Sequence, residues 1–316
     1  MDFSSAFNTR LPQILLTKLT VMKVNPYVIR WYYAFLIRRE QLVKVNATLS
    51  DIYVISTGAP QGCVSSPLLF TLYTNDCRVQ YANNHIIKFS DDTAILSLLN
   101  KHSDIDTYKS EIDMVVKWCK KSNLLINVKK TKEEILDPRL IGDHSPVTIN
   151  GEIVEQVTTY KYLGVHFDSQ LLWGPHVQYV CSRISQRLHF LRRLRVHGVN
   201  KNVMILFYRA AIESIVRYAI TTWFGNLSVK LKSQLHSLIN RAGKIMGAPP
   251  PSSLQEIYND TARRQGLKIT NDPDHVLHRE FELLPSGRRY RFPNCRLNRF
   301  KFSFVPSAIK ILNSQT

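Results

Sequence analysis

Acidic residues are few in this sequence beside the basic ones. Asp and Glu number 24 against 42 Lys and Arg in 316 residues, a formal charge of +18. A surplus of that size favours a polyanionic partner, of which nucleic acid is the usual one. Cysteine is sparse too: Cys63, Cys77, Cys119, Cys181 and Cys295 are scattered, with no CxxC pair. That excludes a disulfide framework or a zinc knuckle as the organising device and fits reduced thiols in the nucleus or cytoplasm. No apolar run approaches the ~18 residues of a membrane span, and no compact polybasic tail is present, so no membrane partner is expected. Met1 is followed at once by Asp2 and polar residues, without the pattern of a cleavable signal peptide. Internal repeats and low-complexity tracts are lacking as well.

What is present suffices for a real core, with 44% apolar residues. The chain is organised around Lys88-Phe89-Ser90-Asp91-Asp92-Thr93-Ala94-Ile95-Leu96. Apolar residues on both sides of two adjacent acids predict a hairpin with the carboxylates at its turn. A solvated turn accounts for this run taken alone. A divalent cation accounts for it as well, because it offsets the repulsion of neighbouring carboxylates and binds their hard oxygens.

Around that run the spacing predicts helices over 13–23, 27–38 (rich in Trp31, Tyr32, Tyr33 and Phe35) and 103–120. Alternation through Leu42, Val43, Val45, Tyr53 and Ile55 predicts a hairpin, and Asn150-Gly151 predicts a tighter one. Gly58-Ala59-Pro60-Gln61-Gly62-Cys63-Val64-Ser65-Ser66-Pro67 is a shaped loop suited to a polar anionic ligand. It also fits a helix entry capped by Ser65 or Ser66 with Pro67 at the first position and Leu68, Leu69, Leu72 and Tyr73 buried behind. Lys129-Lys130-Thr131-Lys132 is a basic knot, by default a solvated turn, with phosphate binding as the alternative. From Tyr160 the chain passes through a strand and turn into about eighty residues of helical period. One helix there carries Arg183, Arg187, Arg192, Arg193 and Arg195 opposite its apolar stripe. Pro249-Pro250-Pro251 marks a linker, beyond which Arg288, Arg289 and Arg291 mix with Phe292, Phe300 and Phe302, as in binders of single-stranded nucleic acid.

Taken together, these segments resemble the reverse transcriptase of non-LTR (LINE-type) retrotransposons, nearest to the L2 and CR1 branches. DFSSAFNT resembles polymerase motif A, GAPQGCVSSPLLF motif B, FSDD motif C and WCKKSNLLINVKKTKE motif D. YKYLGVHFD resembles the primer grip, and SGRRYR with SFVPSAIKILN the family's C-terminal ending. The resemblance implies an α+β fold with three parts. These are a polymerase palm (antiparallel sheet with helices) over 1–155, an α-helical thumb over 156–247, and a basic C-terminal segment over 248–316. It implies template-directed phosphoryl transfer from dNTPs on an RNA template and DNA primer, with two Mg²⁺ ions. Asp2, Asp91 and Asp92 would be the metal carboxylates, and Phe7 the gate against a ribose 2′-OH. Gln61 and Gly62 would line the nucleotide and template, and Lys130 would donate a proton to the leaving pyrophosphate, with Lys129 and Lys132 as alternatives.

Relatives of this kind carry a strand before motif A, fingers and an endonuclease. Without them the expectation is an N-terminally truncated copy, weak or inactive, with Asp2 loosely held. Asn8 stands where many relatives have Asp. Two other readings follow from the residues. One is a nucleic-acid-binding remnant without catalysis. The other is an AlkB-type tRNA-modifying oxygenase or methyltransferase module, because 163–225 resembles such a domain and His166-Phe167-Asp168 has the HxD spacing of an iron site.

Overall fold

The computed structural model describes residues 1–60, 62–100, 103–136 and 146–314, and the chain divides into two compact units, Met1–Thr158 and Thr159–Thr316. In the first unit, α1 (Pro12–Val21) and α2 (Pro26–Leu36) each begin on proline, where a helix has no use for an amide N–H. Asn25 caps α2, its side chain accepting from Tyr27 N at 2.9 Å. Leu15, Leu19 and Leu36 are buried, while Tyr27, Trp31 and Tyr33 of α2 lie exposed. The expected hairpin follows as β1 (Arg39–Gln41), β2 (Lys44–Val45), β3 (Thr48–Leu49) and β4 (Tyr53–Ile55). β1 pairs with β4 and β2 with β3, both antiparallel. Its alternation brings no burial, since Leu42, Val43, Val45, Leu49, Tyr53 and Val54 are all exposed.

α3 (Ser65–Tyr73) buries Leu69, Phe70 and Tyr73, but Leu68 faces solvent and Leu72 is half-buried. Phe70 thus takes the place expected of Leu68. Neither Ser65 nor Ser66 caps this helix. The Ser66 hydroxyl instead donates to the Pro60 carbonyl at 2.8 Å, and Pro67 is the third helical residue. β5 (Asn84–Phe89) and β6 (Asp92–Ser97) form the central hairpin, with Phe89 opposite Asp92 and Ser90 at φ +54° in the turn. α4 (Ser103–Lys121) buries Ile105, Ile112, Val115, Val116 and Cys119, the stripe its spacing predicts. Then come β7 (Lys132–Glu133), β8 (Thr148–Ile149), β9 (Glu152–Ile153) and β10 (Glu155–Gln156). β8 and β9 are joined by Asn150 and Gly151, both at positive φ, as a two-residue turn of the mirror-image type requires. β10 runs parallel to β7.

The second unit opens with β11 (Thr159–Tyr162) and β12 (Val165–Asp168), joined through Leu163 and Gly164, again both at positive φ. Helices follow: α5 (Gly174–Val196), α6 (Lys201–Tyr208), a π-helical turn at Arg209–Glu213, α7 (Ser214–Arg217), α8 (Ile220–Trp223) and α9 (Val229–Met246). The chain breaks between α7 and α8 at Ala219, φ +49°, where Tyr218 OH reaches the Leu163 carbonyl. α10 (Leu254–Thr270) starts at a reciprocal cap in which Ser253 and Glu256 satisfy each other's backbone N–H. Its Leu254, Ile257 and Tyr258 enter the same core as Val177, Ile184, Leu188, Trp223 and Leu235. α11 (Asn298–Lys301) and α12 (Phe304–Asn313) complete the unit, and Ala308, Ile309 and Leu312 pack with Ile269 and Phe281. A Cβ on Gly225 would come within 2.2 Å of the Phe302 carbonyl. The residues beyond the proline linker are therefore packed against the helices of this unit.

The described residues are thus α+β, with helices and six two-stranded sheets. Among them no helix is long and apolar enough to cross a membrane.

Candidate functional site

Three backbone segments meet where the acids sit. The N-terminal amine of Met1 donates to the Thr93 carbonyl at 2.6 Å, and Thr93 N donates to the Met1 carbonyl at 3.3 Å. On the other side, Ser4 N donates to Leu125 O at 2.8 Å and Asn127 N donates to Asp2 O at 2.9 Å, flanking a Phe3–Ile126 bridge. Residues 1–4 thus lie as an extended strip between β6 and residues 125–127. Asp2 comes in at one edge of this strip, and Asp91 and Asp92 come in at the turn of the β5–β6 hairpin. Asp2 is not a frayed end. Its amide donates to the Thr131 hydroxyl at 3.2 Å, and the buried Thr131 is itself held by Asn127 O at 2.9 Å.

The charges of the three acids act on one another. The Asp92 carboxyl is held above its ordinary value first by partial burial, then by the Asp91 carboxylate, then by Asp2; only the Met1 amine opposes this. Neighbouring carboxylate oxygens have the donor chemistry a hard divalent cation requires. The side chains do not close on one point, however. Among the described residues no three His, Cys, Asp or Glu side chains are gathered closely enough to hold a metal ion. The fit is one of donor type and charge.

Phe7 is half-buried, its ring 5.3 Å from Phe70 and covered by the Arg10 guanidinium at 5.3 Å. The glycine loop docks directly behind it: Ala59 N donates to Phe7 O at 3.1 Å and Gly58 N to Arg10 O at 2.8 Å. Gly58 sits at φ +65°, and a Cβ there would come within 2.6 Å of Phe7 O, so only glycine allows this approach. Gly62 lies in the open at φ +76° with nothing near its Cα face. Gln61 lies outside the described residues.

The three candidate lysines separate. Lys132 Nζ donates to Lys129 O at 2.9 Å and pairs with Glu155. Lys129 and Lys130 are exposed, Lys130 on a turn whose amide bonds the Asn127 side chain at 3.2 Å. Lys88, beside the acids in sequence, is turned away to the Thr74 and Cys77 carbonyls at 2.6 and 3.1 Å.

Two anchors are not among the candidate residues. Glu111 of α4, fully buried, accepts from Gln80 N, Tyr81 N and Asn84 Nδ2 at 3.0–3.1 Å, and Ser97 Oγ donates to Asn84 Oδ1 at 2.6 Å. The root of the acid-bearing hairpin hangs on that carboxylate. Thr131 is the other, hidden inside a run of lysines. The signal for each was a polar residue interrupting an apolar or basic pattern.

The His166-x-Asp168 spacing builds no iron site. The Asp168 carboxylate is occupied by Leu172 N at 2.9 Å and Trp173 N at 2.7 Å, which shape the turn into α5. His166 packs its ring on Tyr179 at 4.8 Å.

Comparison with known proteins agrees with this geometry. The family described as reverse transcriptase (RNA-dependent DNA polymerase) matches residues 1–167, more than half of the chain. The chain belongs to that family, and within it to the reverse transcriptases of non-LTR retrotransposons. It is 27% identical over 255 residues to the probable RNA-directed DNA polymerase from transposon BS of Drosophila melanogaster, covering 77% of this chain and 28% of that protein. It is 30% identical over 155 residues to the RNA-directed DNA polymerase from mobile element jockey of the same fly, covering 46% and 16%. To the Pol polyprotein from type-1 retrotransposable element R1 of Bradysia coprophila it is 23% identical over 253 residues, covering 78% and 24%. The chain therefore matches less than a third of the length of each of these relatives. A short stretch, residues 182–214 in α5 through α7, matches the family described as alkylated DNA repair protein alkB homolog 8, N-terminal. Reverse transcriptases as a family use divalent metal ions and dNTPs and act on a nucleic-acid template and primer.

Proposed function

We propose that this chain is the polymerase region of a non-LTR retrotransposon reverse transcriptase and adds dNTPs to a DNA primer on an RNA template. The observation that supports this reading best is that Asp2, Asp91 and Asp92 lie on two adjoining backbone segments, with the charges of Asp91 and Asp2 acting on Asp92. In this reading the first unit is the palm and the helices of the second are the thumb. The three carboxylates would hold Mg²⁺, which when bound supplies charge neutralisation at the phosphates and a sharper primer oxygen. The chain's own residues do the rest. Thr131 and Asn127 fix the Asp2 backbone, and Glu111 fixes the hairpin root. Phe7, braced by Phe70 and Arg10, sets the wall on which a 2′-OH would clash. Lys130, exposed on its turn, would give a proton to pyrophosphate, and Gln61 and Gly62 would line the nucleotide and template. Exposed Arg183, Arg192 and Arg193 on α5, with exposed Arg291, Phe292, Phe300 and Phe302 in the C-terminal segment, suit a phosphate backbone and unstacked bases. The nucleus or cytoplasm is where such a chain would act.

One observation favours a second reading, nucleic-acid binding without catalysis: the carboxylate side chains do not close into a ligand set. A single experiment separates the two. Primer extension by the full chain on an RNA template with Mg²⁺ and dNTPs is measured alongside template–primer binding at several salt concentrations. If polymerisation is the function, Asp91→Ala cuts extension by two orders of magnitude or more, about 3 kcal/mol of lost transition-state stabilisation, and leaves binding unchanged. Salt-sensitive binding with no extension by either protein establishes the second reading.

A further inference from the structure

Arg10 is a buried charge without a counter-charge. The residue is 3% exposed, and its guanidinium lies between the rings of Phe7 and Phe70 at 5.3 and 5.5 Å from their centroids. Nη1 donates to the Ser66 carbonyl at 3.4 Å, a long bond. Nε and Nη2 are both buried and have no hydrogen-bond partner. Those two atoms form the side-on edge of the guanidinium, where parallel N–H bonds grip one anion together.

The surroundings make the lack sharper. Among the described residues Arg10 has no ion pair, and the charged neighbour it does feel is a second cation, Arg39. Arg39 has partners of its own in the Leu36 and Thr57 carbonyls. Burial, with Arg39 adding to it and Tyr73 opposing, pushes the Arg10 guanidinium down to about 10, so it keeps its proton at neutral pH. A buried, charged and half-bonded guanidinium is among the costliest arrangements a core can hold.

Beside Arg10 lies a small cavity, lined otherwise by Leu11, Leu15, Leu36, Ala59 and Leu69 among others, with room for about one body the size of a water molecule. A water needs two to four polar partners, and these apolar walls offer little besides Arg10. A carboxylate or phosphate exceeds the space. A halide is the anion nearest to that size, asks only for donors, and brings the missing charge.

We propose that Arg10 holds a single halide ion, chloride under ordinary conditions, on its Nε–Nη2 edge. The ion neutralises the guanidinium and lets it brace Phe7 and the Gly58–Ala59 loop. This inference stands whether or not the chain polymerises.

The test uses the full chain free of nucleic acid, with potassium gluconate exchanged for potassium chloride at constant ionic strength. The thermal midpoint of the wild type rises with chloride and levels off as the site fills. Arg10→Met loses the rise, and Arg10→Lys, a point charge without the paired edge, shows a smaller one. Crystals of the wild type grown in bromide show an anomalous peak within bonding distance of Nε and Nη2. The same chloride response in Arg10→Met overturns the proposal, as does a bromide-free edge occupied by water. Should Arg10→Met fail to fold, the bromide map of the wild type decides alone.

Discussion

The two units hold themselves together by different means. The first is tied by directed polar contacts between backbone segments: Thr131 and Asn127 to Asp2, Glu111 to residues 80–84, Arg10 and Gly58 to each other's main chain. The second rests on apolar mass, with Trp223, Tyr208, Phe224, Ile184 and Leu188 all almost wholly buried around α5 and α9. A polar tie fixes an atom's position and direction, which a carboxylate site requires. Apolar packing fixes volume and tolerates small shifts, which a helical frame can absorb. The unit carrying the acids buries more polar side chains, among them Arg10, Asn84, Glu111 and Thr131, while in the second His176, Glu213 and Thr221 are buried.

If this contrast is right, the largest loss of stability comes from the second unit's interior. Trp223→Ala removes a fully buried indole whose N–H donates to the Tyr218 carbonyl at 3.2 Å. The expected cost is about 3–5 kcal/mol, measured by urea unfolding followed by circular dichroism. A cost below about 1 kcal/mol would show that the core is loosely filled and break the comparison.

Acid is the next lever. His176 is 2% exposed and edge-on to Trp223 at 5.1 Å, with His166 N donating to its Nδ1 at 3.3 Å. Burial, then the nearby His166, pushes its imidazole down to about 4 from 6.5. A depressed histidine favours the folded state while neutral, so its contribution is full above pH 6.5 and drains away as pH falls toward 4. The loss reaches about 3 kcal/mol, and His176→Leu flattens that part of the pH–stability curve. An unchanged curve would move the acid sensitivity to other groups, such as His166.

Local rules made much of this legible in advance. Asn150-Gly151 and the FSDD run are turns because backbone sterics and alternation act within a few residues, and the stripe of α4 is a matter of spacing alone. The candidate acids were legible as a motif, and they lie on adjoining backbone segments without their side chains closing on one point. Thr131, Glu111 and Arg10 were not, because their meaning lies in which distant backbone they meet. Arg10 reads as one more surface cation in a chain of +18, and nothing local says that Phe7, Phe70 and Ala59 close over it. The exposed hairpin of β1–β4 fails in the opposite direction. Its alternation predicts strands correctly but says nothing about whether another surface covers them. α3 failed by a rotation, because Phe70 outbid Leu68 for the interior by size.

A smaller change sharpens the contrast from the polar side. Thr131→Val keeps the shape of a buried side chain and deletes its hydroxyl, leaving the Asp2 amide without its acceptor. Stability falls by about 1–2 kcal/mol, as for one buried polar group left unmatched. If the tie positions Asp2, extension falls further than binding does, and Thr131→Ser restores both. Equal losses in the two would reduce Thr131 to a packing residue.

The smallest effect has the opposite sign. Asp92 is solvent-exposed, yet partial burial, Asp91 and Asp2 hold its carboxyl above the ordinary 3.8. A raised carboxyl is stabilising while protonated, and that benefit is lost as pH rises through the raised value. At neutral pH the charged Asp92 therefore weighs against the fold, and Asp92→Asn should raise the midpoint of unfolding slightly. The gain should shrink to nothing as pH falls below 3.8, where both side chains are neutral, and Mg²⁺ should narrow it at pH 7 by offsetting the same repulsion in the wild type. A gain that persists at low pH would mean that shape rather than charge is responsible. A gain at neutral pH that comes with loss of extension would show the first unit trading stability for a cluster of charge.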